Sequence, residues 1–277
     1  MIDIYKIYRV QNVTSYSLCG HTYNRWNIET DKESVEARHM YFIIDTFYNE
    51  AFSHWVFESG VYLELFNKLR KLHPIKLVLK ARRTYKLLFC KLFNINEEDI
   101  VYEIQRGNTC IFPSPISAMN DKSLSTQYTE QLTRFYKYFS QMASLAIKTN
   151  TIVLMPRQRK ENYHGNTREY IMDNLITYVS SKKDSVVLYT DTITDLQEQI
   201  QSVASAKSLI LSDESAFLVN GMFAYNAHLL VLGKVTVWQA SEYPKLYKIR
   251  ELSGTINNNT YVQYDTEMEI LRIIREE

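Results

Sequence analysis

The chain has 277 residues, 45% hydrophobic and 23% charged, a composition that buries ordinary globular cores and, at about 150 residues per domain, suggests two of them. Lys and Arg number 32 against 31 Asp and Glu, so the net charge is +1 and no global basic field exists for nucleic acid or an anionic membrane; any phosphate ligand has to be met by locally placed cations. Three scattered cysteines exclude a disulfide framework and offer no zinc spacing, and seven glycines leave no Gly-rich phosphate loop.

Residues 1–10 alternate Ile and Tyr with Asp, Lys and Arg, unlike a signal or transit peptide. No apolar run approaches the roughly 18 residues of a membrane span. A cytoplasmic protein with no integral membrane segment is expected.

In chain order, residues 40–44 (MYFII) predict a buried strand. Residues 52–69 predict a helix, with Trp55, Phe57, Val61, Leu65 and Leu69 at helical intervals. A strand over 75–79 and a helix over 84–93 follow. Short strands are expected at 100–102 and 110–112, the second ended by Pro113 and Pro115, which lack the N–H that a ladder needs. The polar stretch 117–125 reads as a linker, and a long helix is expected over 127–148. The alternation then restarts, with strand 151–155 (TIVLM), helix 167–179, strand 185–189, helix 195–204, strand 208–211, helix 216–225 and strand 228–232. A charged amphipathic helix is expected over 267–277. Strand–helix–strand units with short connections argue for parallel sheets with right-handed crossovers. The linker assigns residues 1–125 and 126–277 to two Rossmann-like α/β domains facing each other across a cleft.

Three segments carry candidate chemistry. Asn49-Glu-Ala-Phe-Ser-His-Trp-Val-Phe-Glu58 follows a strand, where open α/β sheets bind ligands, and puts His54 and Glu58 one turn apart on one helical face. That pair suits general-base work, although a helix start with a solvated Glu58 explains the same spacing. Trp55 and Phe57 point elsewhere, into the core. Pro156-Arg-Gln-Arg-Lys160 follows the strand 151–155, so Arg157 and Arg159 sit where a phosphate would bind, with Arg168 close to the next helix start. A solvated basic loop is the plain alternative. In Leu211-Ser-Asp-Glu-Ser-Ala-Phe-Leu-Val-Asn220, a strand gives way at Ser212, Asp213, Glu214 and Ser215 to a helix from Ala216. Its free N–H groups suit an anion, while Asp213 and Ser215 equally suit N-caps. Asn220, on an otherwise apolar helix, needs a polar partner. Asp191 and Asp195 read as turn and cap residues, not metal ligands.

Taken in order, these segments resemble glycosyltransferase family 61 and the related capsular polysaccharide synthesis domain. The family's N-F-x-H-W-x-x-E-like segment stands here as Phe52-Ser-His-Trp-Val-Phe-Glu58. Its strand and Pro-Ser turn stand as Cys110-Ile-Phe-Pro-Ser114, its post-strand Arg as Arg157, and its acidic-Gln-Ile helix as Glu198-Gln-Ile200. Its S-P-H-G-A-G-L-T-N-x-x-F-like segment stands as Ser212-Asp-Glu-Ser-Ala-Phe-Leu-Val-Asn-Gly-Met-Phe223. Glu214 replaces the usual His, Ser215 and Phe217 replace glycines, and the insert Glu161 to Asn166 displaces the second Arg.

The resemblance implies a GT-B fold and inversion at the sugar carbon without an obligatory metal or cofactor. The donor is a nucleotide sugar, UDP-xylose or another UDP-linked sugar, and the acceptor a glycan hydroxyl. Glu58 or His54 is then the catalytic base, Glu58 being preferred of the two. Arg157, Arg159 and Arg168, with Ser212, Asp213, Glu214, Ser215, Ala216 and Asn220, form the donor side. The competing expectation is a non-catalytic glycan- or nucleotide-binding α/β protein of a surface-polysaccharide or virion glycan assembly.

Overall fold

The computed structural model describes residues 5–8, 40–44, 52–102, 109–113, 126–156, 172–189, 195–212, 216–233 and 244–276. The chain divides into two compact units, Met1–Leu132 and Thr133–Glu277. Each is a mixed α/β body built on a mainly or wholly parallel sheet.

Unit 1 carries strands β1 (Tyr5–Tyr8), β2 (Met40–Ile43), β3 (Ile75–Val78), β4 (Ile100–Val101) and β5 (Thr109–Pro113) in the order β1-β5-β2-β3-β4. All neighbours run parallel except β1, which lies antiparallel on β5, Tyr5 opposite Pro113. The four parallel strands repeat half of the dinucleotide-fold order, and the order in which strands are added reverses between β2 and β5. The sequence reading had no strand at Tyr5–Tyr8.

Helices α1 (Phe52–Glu58), α2 (Leu63–Arg70) and α3 (Thr84–Leu92) accompany this sheet. One continuous helix over 52–69 was expected, and the structure corrects it. Ser59 and Gly60 are weak helix formers, and the chain tightens into a 3₁₀ turn over Gly60–Tyr62 before α2 begins. The apolar period runs unbroken through that turn, so hydrophobicity alone concealed it. Trp55 is fully buried, with its ring 5.9 Å from Phe89 and 5.8 Å from Tyr85 in edge-on contacts that pin α1 to α3.

Helix α4 (Thr126–Ser144) crosses the division between the units. Unit 2 then has strands β6 (Asn150–Met155), β7 (Ser185–Val187), β8 (Ala206–Ser212), β9 (His228–Leu232) and β10 (Thr260–Tyr264). They alternate with α5 (Asp173–Ser180), α6 (Leu196–Ala204), α7 (Ala216–Phe223), α8 (Pro244–Asn257) and α9 (Glu267–Glu276). All pairings are parallel in the order β10-β9-β8-β6-β7, the second common doubly wound order. Ile152, Leu154, Ile210, Leu230 and Leu232 pack against α5 and α9 through Leu175, Val179, Ile270, Leu271 and Ile274. The alternate residues Val153, Leu209, Leu211, Leu229 and Val231 are buried as well, so both sides of the sheet are covered. Burial on both sides explains why these strands read as unbroken apolar blocks.

Two elements of unit 2, α8 and β10, were absent from the sequence reading, which closed the sheet at residues 228–232. Helix α5 starts at Asp173 within the expected 167–179, of which 167–171 lie outside the described residues. Among the described residues no helix is long and apolar enough to cross a membrane.

Candidate functional site

The topology singles out one position in each sheet, the carboxyl ends of the strands where the order reverses. In unit 2 these are β6 and β8, with Met155 directly opposite Leu211. Pro156 follows β6 and leads to Arg157 and Arg159, while β8 ends at Ser212, half-buried, and leads to Asp213, Glu214 and Ser215. Arg157, Arg159, Arg168, Asp213, Glu214 and Ser215 lie outside the described residues. Ala216 is the first residue of α7.

The helices at this end of the sheet differ in how their N-termini are occupied. Glu267 accepts from the Asn174 and Leu175 backbone N–H groups of α5, at 3.2 and 3.4 Å. Asp195 caps α6 by accepting from the Gln197 N–H at 2.8 Å, and Glu198 stands in its first turn. Helix α7 has no acid in its first turn. Asp213 and Glu214 directly precede it in sequence and lie outside the described residues.

Asn220 lies deeper. It is 1% exposed, and its Oδ1 accepts from the Gln199 Nε2 at 2.6 Å, a buried tie between α6 and α7. That bond supplies the polar partner its burial demands.

In unit 1 the reversing strands are β2 and β5, Phe42 opposite Ile111, and α1 is the helix that follows β2. His54 Nδ1 stands 3.0 Å from Glu58 Oε1, as the spacing of four predicts, with side chains 31% and 7% exposed. Glu58 is therefore not the solvated carboxylate of the plainer reading. Trp55 and Phe57 point into the core, as expected.

Tyr62, Tyr128 and Lys86 were not singled out from the sequence. Tyr128 donates its hydroxyl to the Phe57 carbonyl at 2.9 Å, holding the last turn of α1. Burial pushes the Tyr62 hydroxyl well above its ordinary value near 10, and the Glu58 charge adds to the shift. Tyr128 is raised by burial first, then by Tyr62 and Glu58. Lys86 is fully buried, its Nζ 5.9 Å from the centre of the Trp55 ring. A signal for Lys86 did exist, since it shares one helical face with Phe89 and Cys90, both buried.

These tyrosines make a pH prediction. Both stay neutral in the folded chain at pH values where an unfolded tyrosine ionises. Their contribution is complete below about pH 10 and falls above it, by about 1.4 kcal/mol per tyrosine for each further pH unit. Urea denaturation between neutral pH and pH 11 is expected to show that steepening loss. The double change Tyr62→Phe and Tyr128→Phe should lessen it, leaving the share owed to buried Tyr261, and an unchanged slope would remove Tyr62 and Tyr128 from the account.

A groove of about 280 Å³ lined by Tyr247, Arg250, Glu251, Gly254, Thr255, Asn259 and Tyr261 lies beside β10, at the sheet edge away from β6 and β7. None of the sequence-predicted site residues lines it. Among the described residues no cluster of three or more His, Cys, Asp or Glu is arranged to hold a metal ion. No family model matches the chain, and no curated protein matches it.

Proposed function

We propose that the protein is an inverting glycosyltransferase of the GT-B type, in which unit 2 takes a UDP-linked sugar and unit 1 supplies the base for a glycan hydroxyl. The observation that carries this reading is topological. The cationic segment and the His54–Glu58 pair arise from the sequence as separate motifs, yet each follows a strand at which its own sheet reverses order.

In this reading the acceptor oxygen attacks the anomeric carbon while the bond to the diphosphate breaks and its electron pair leaves with UDP. The more exposed member of the pair, His54, takes the hydroxyl proton. Buried Glu58 accepts the Nδ1 hydrogen and so leaves Nε2 as the basic nitrogen. Arg157 and Arg159, with Arg168, neutralise the charge that develops on the diphosphate, and the α7 N-terminus adds its dipole. The resemblance to family 61 favours xylose as the sugar.

A thermal-shift series on the intact protein with UDP, UDP-xylose, UDP-glucose, UDP-N-acetylglucosamine and GDP-sugars tests the proposal. One UDP-sugar should stabilise preferentially through mass action and release UDP on incubation, and Arg157→Ala should abolish both effects. Stabilisation with no release under any acceptor would support the binding-protein reading, which the replacement of the family's glycines by Ser215 and Phe217 favours. Indifference to every nucleotide would end the transferase reading and leave of the alternative only its glycan-binding form.

A further inference from the structure

The opposite end of the second sheet, where its strands begin, has a different chemistry. The connection from α4 to β6 exposes Leu145 at 85% and Ile147 at 80%, with Met142 at 36% on the last turn of α4. Backbone pairing fixes what surrounds this tip. Lys148 Nζ donates to the Ala204 and Ala206 carbonyls at 3.0 and 2.7 Å, and the Asn150 N–H donates to the Ser205 carbonyl at 3.2 Å. On the other side the Thr151 N–H donates to the Asp184 carbonyl at 2.7 Å. The tip is thereby held beside the Lys182–Asp184 turn and the start of β8.

Lys182, Lys183 and Lys207 are exposed there. Lys182 and Arg275 both lie over the Tyr178 ring, at 4.6 and 5.3 Å from its centre, which brings Arg275 into the same cluster. Among the described residues the acids at this end are Asp184 and Glu276. The helix acids Asp173, Glu198, Glu267 and Glu269 all sit in first turns, at the far end of the sheet. This end of unit 2 thus joins an apolar tip to a cationic cluster with few acids among the described residues, while the far end carries acids together with Lys245 and Lys248 on the first turns of α8.

We propose that this end of unit 2 docks on an anionic lipid surface. Leu145 and Ile147 enter between headgroups, and Lys182, Lys183, Lys207 and Arg275 meet the phosphates. Three exposed apolar side chains fall well short of the roughly 800 Å² per partner that a stable protein interface buries, which argues against a second copy of the chain. A soluble polyanion would use the lysines but gain nothing from the Leu–Ile tip. The inference does not rest on the sugar-transfer reading.

Sedimentation of the full chain with phosphatidylcholine vesicles, with and without phosphatidylglycerol, tests the proposal. Binding is expected on the anionic vesicles only, weakening as salt rises. The double change Leu145→Glu and Ile147→Glu should lower partitioning at least tenfold, and each of Lys182→Gln, Lys183→Gln and Lys207→Gln about fivefold. Leu72→Glu changes an equally isolated apolar residue of unit 1, 72% exposed, and should leave binding unaltered. All of these positions are exposed, and matching thermal unfolding confirms that the variants fold. Equal binding to neutral vesicles, indifference to the tip changes, or equal loss in Leu72→Glu would overturn the proposal. So would a lipid-free dimer that the tip changes dissociate.

Discussion

On the proposed mechanism, changing His54 to Ala is expected to lower kcat for sugar transfer by about 10²–10⁴-fold, the range set by removing a positioned general base, with little change in KM for the donor. Glu58→Gln should fall in the same range for a different reason. The glutamine keeps the shape of the side chain, but it no longer presents a carboxylate to the imidazole 3.0 Å away, so the tautomer with a basic Nε2 loses its support. The two losses should not add, because in the proposed reaction both residues act through one proton transfer. The double variant should resemble the worse single one. Initial rates of UDP release in the presence of acceptor, with thermal unfolding alongside, provide the measurement. Turnover within threefold of the unchanged protein in either single variant would remove the pair from the mechanism. UDP binding by these same variants would show that the donor half of the proposal survives.

The largest stability effect is expected at the seam between α7, α8 and β10. Asn259 is 6% exposed and bonded on every side. The two hydrogens of its Nδ2 are shared among the Gly221 carbonyl, the Ala224 carbonyl and Ser253 Oγ at 3.0, 3.1 and 3.0 Å, and its Oδ1 accepts from the Ala227 N–H at 3.1 Å. Asn259→Leu keeps the bulk but strands the Ala227 donor and weakens two buried carbonyls, a loss of about 3 kcal/mol or more at roughly 1–3 kcal/mol per unsatisfied buried group. Gly221 faces the same seam. A Cβ there would stand 2.4 Å from Tyr261 Oη and 3.3 Å from Leu229 Cδ2. The Tyr261 hydroxyl is held by Ser253 Oγ at 2.9 Å, and burial pushes it up to about 12. Gly221→Ala therefore forces the tyrosine off its partner, at about 2–4 kcal/mol for overpacking together with a lost buried hydrogen bond. Tyr261→Phe removes the clashing atom, so Gly221→Ala should cost less in that background, a coupling that urea denaturation of the four proteins reads directly. Losses below about 1 kcal/mol for both single changes would show that the seam rearranges freely.

The same seam explains what the sequence concealed. Strands β2, β6, β8 and β9 were legible because their residues are buried on both sides and form apolar blocks. Helix α8 was not. The face it buries is Ile249, Leu252, Ser253 and Asn257, half of it polar, so no hydrophobic period marks it. Its polar members are satisfied by the backbone of α7, Ser253 Oγ bonding the Gly221 carbonyl at 3.1 Å and Asn257 Nδ2 the Met222 carbonyl at 2.8 Å. No sequence pattern foretells such bonds between segments more than thirty residues apart. Strand β10 is an edge strand with Val262 44% exposed, and lacks the doubly buried signature of its neighbours. At the candidate site, helical spacing revealed that His54 and Glu58 share a face. It could not reveal that Glu58 is buried or that its charge bears on Tyr62 in the 3₁₀ turn and on Tyr128 of a helix distant in sequence.

Helix α4 constrains how the protein can be dissected. The division between the units falls at Leu132 and Thr133, partway along this helix, and Tyr128 on its first half is the residue whose hydroxyl anchors the Phe57 carbonyl. Truncation at the polar linker before the helix would rob the first half of that anchor and leave the second half trailing a buried tyrosine with no niche. A shortened version of the first unit must therefore carry the opening turns of α4 with it, and the segment that looks dispensable in the sequence is the wrong place to cut.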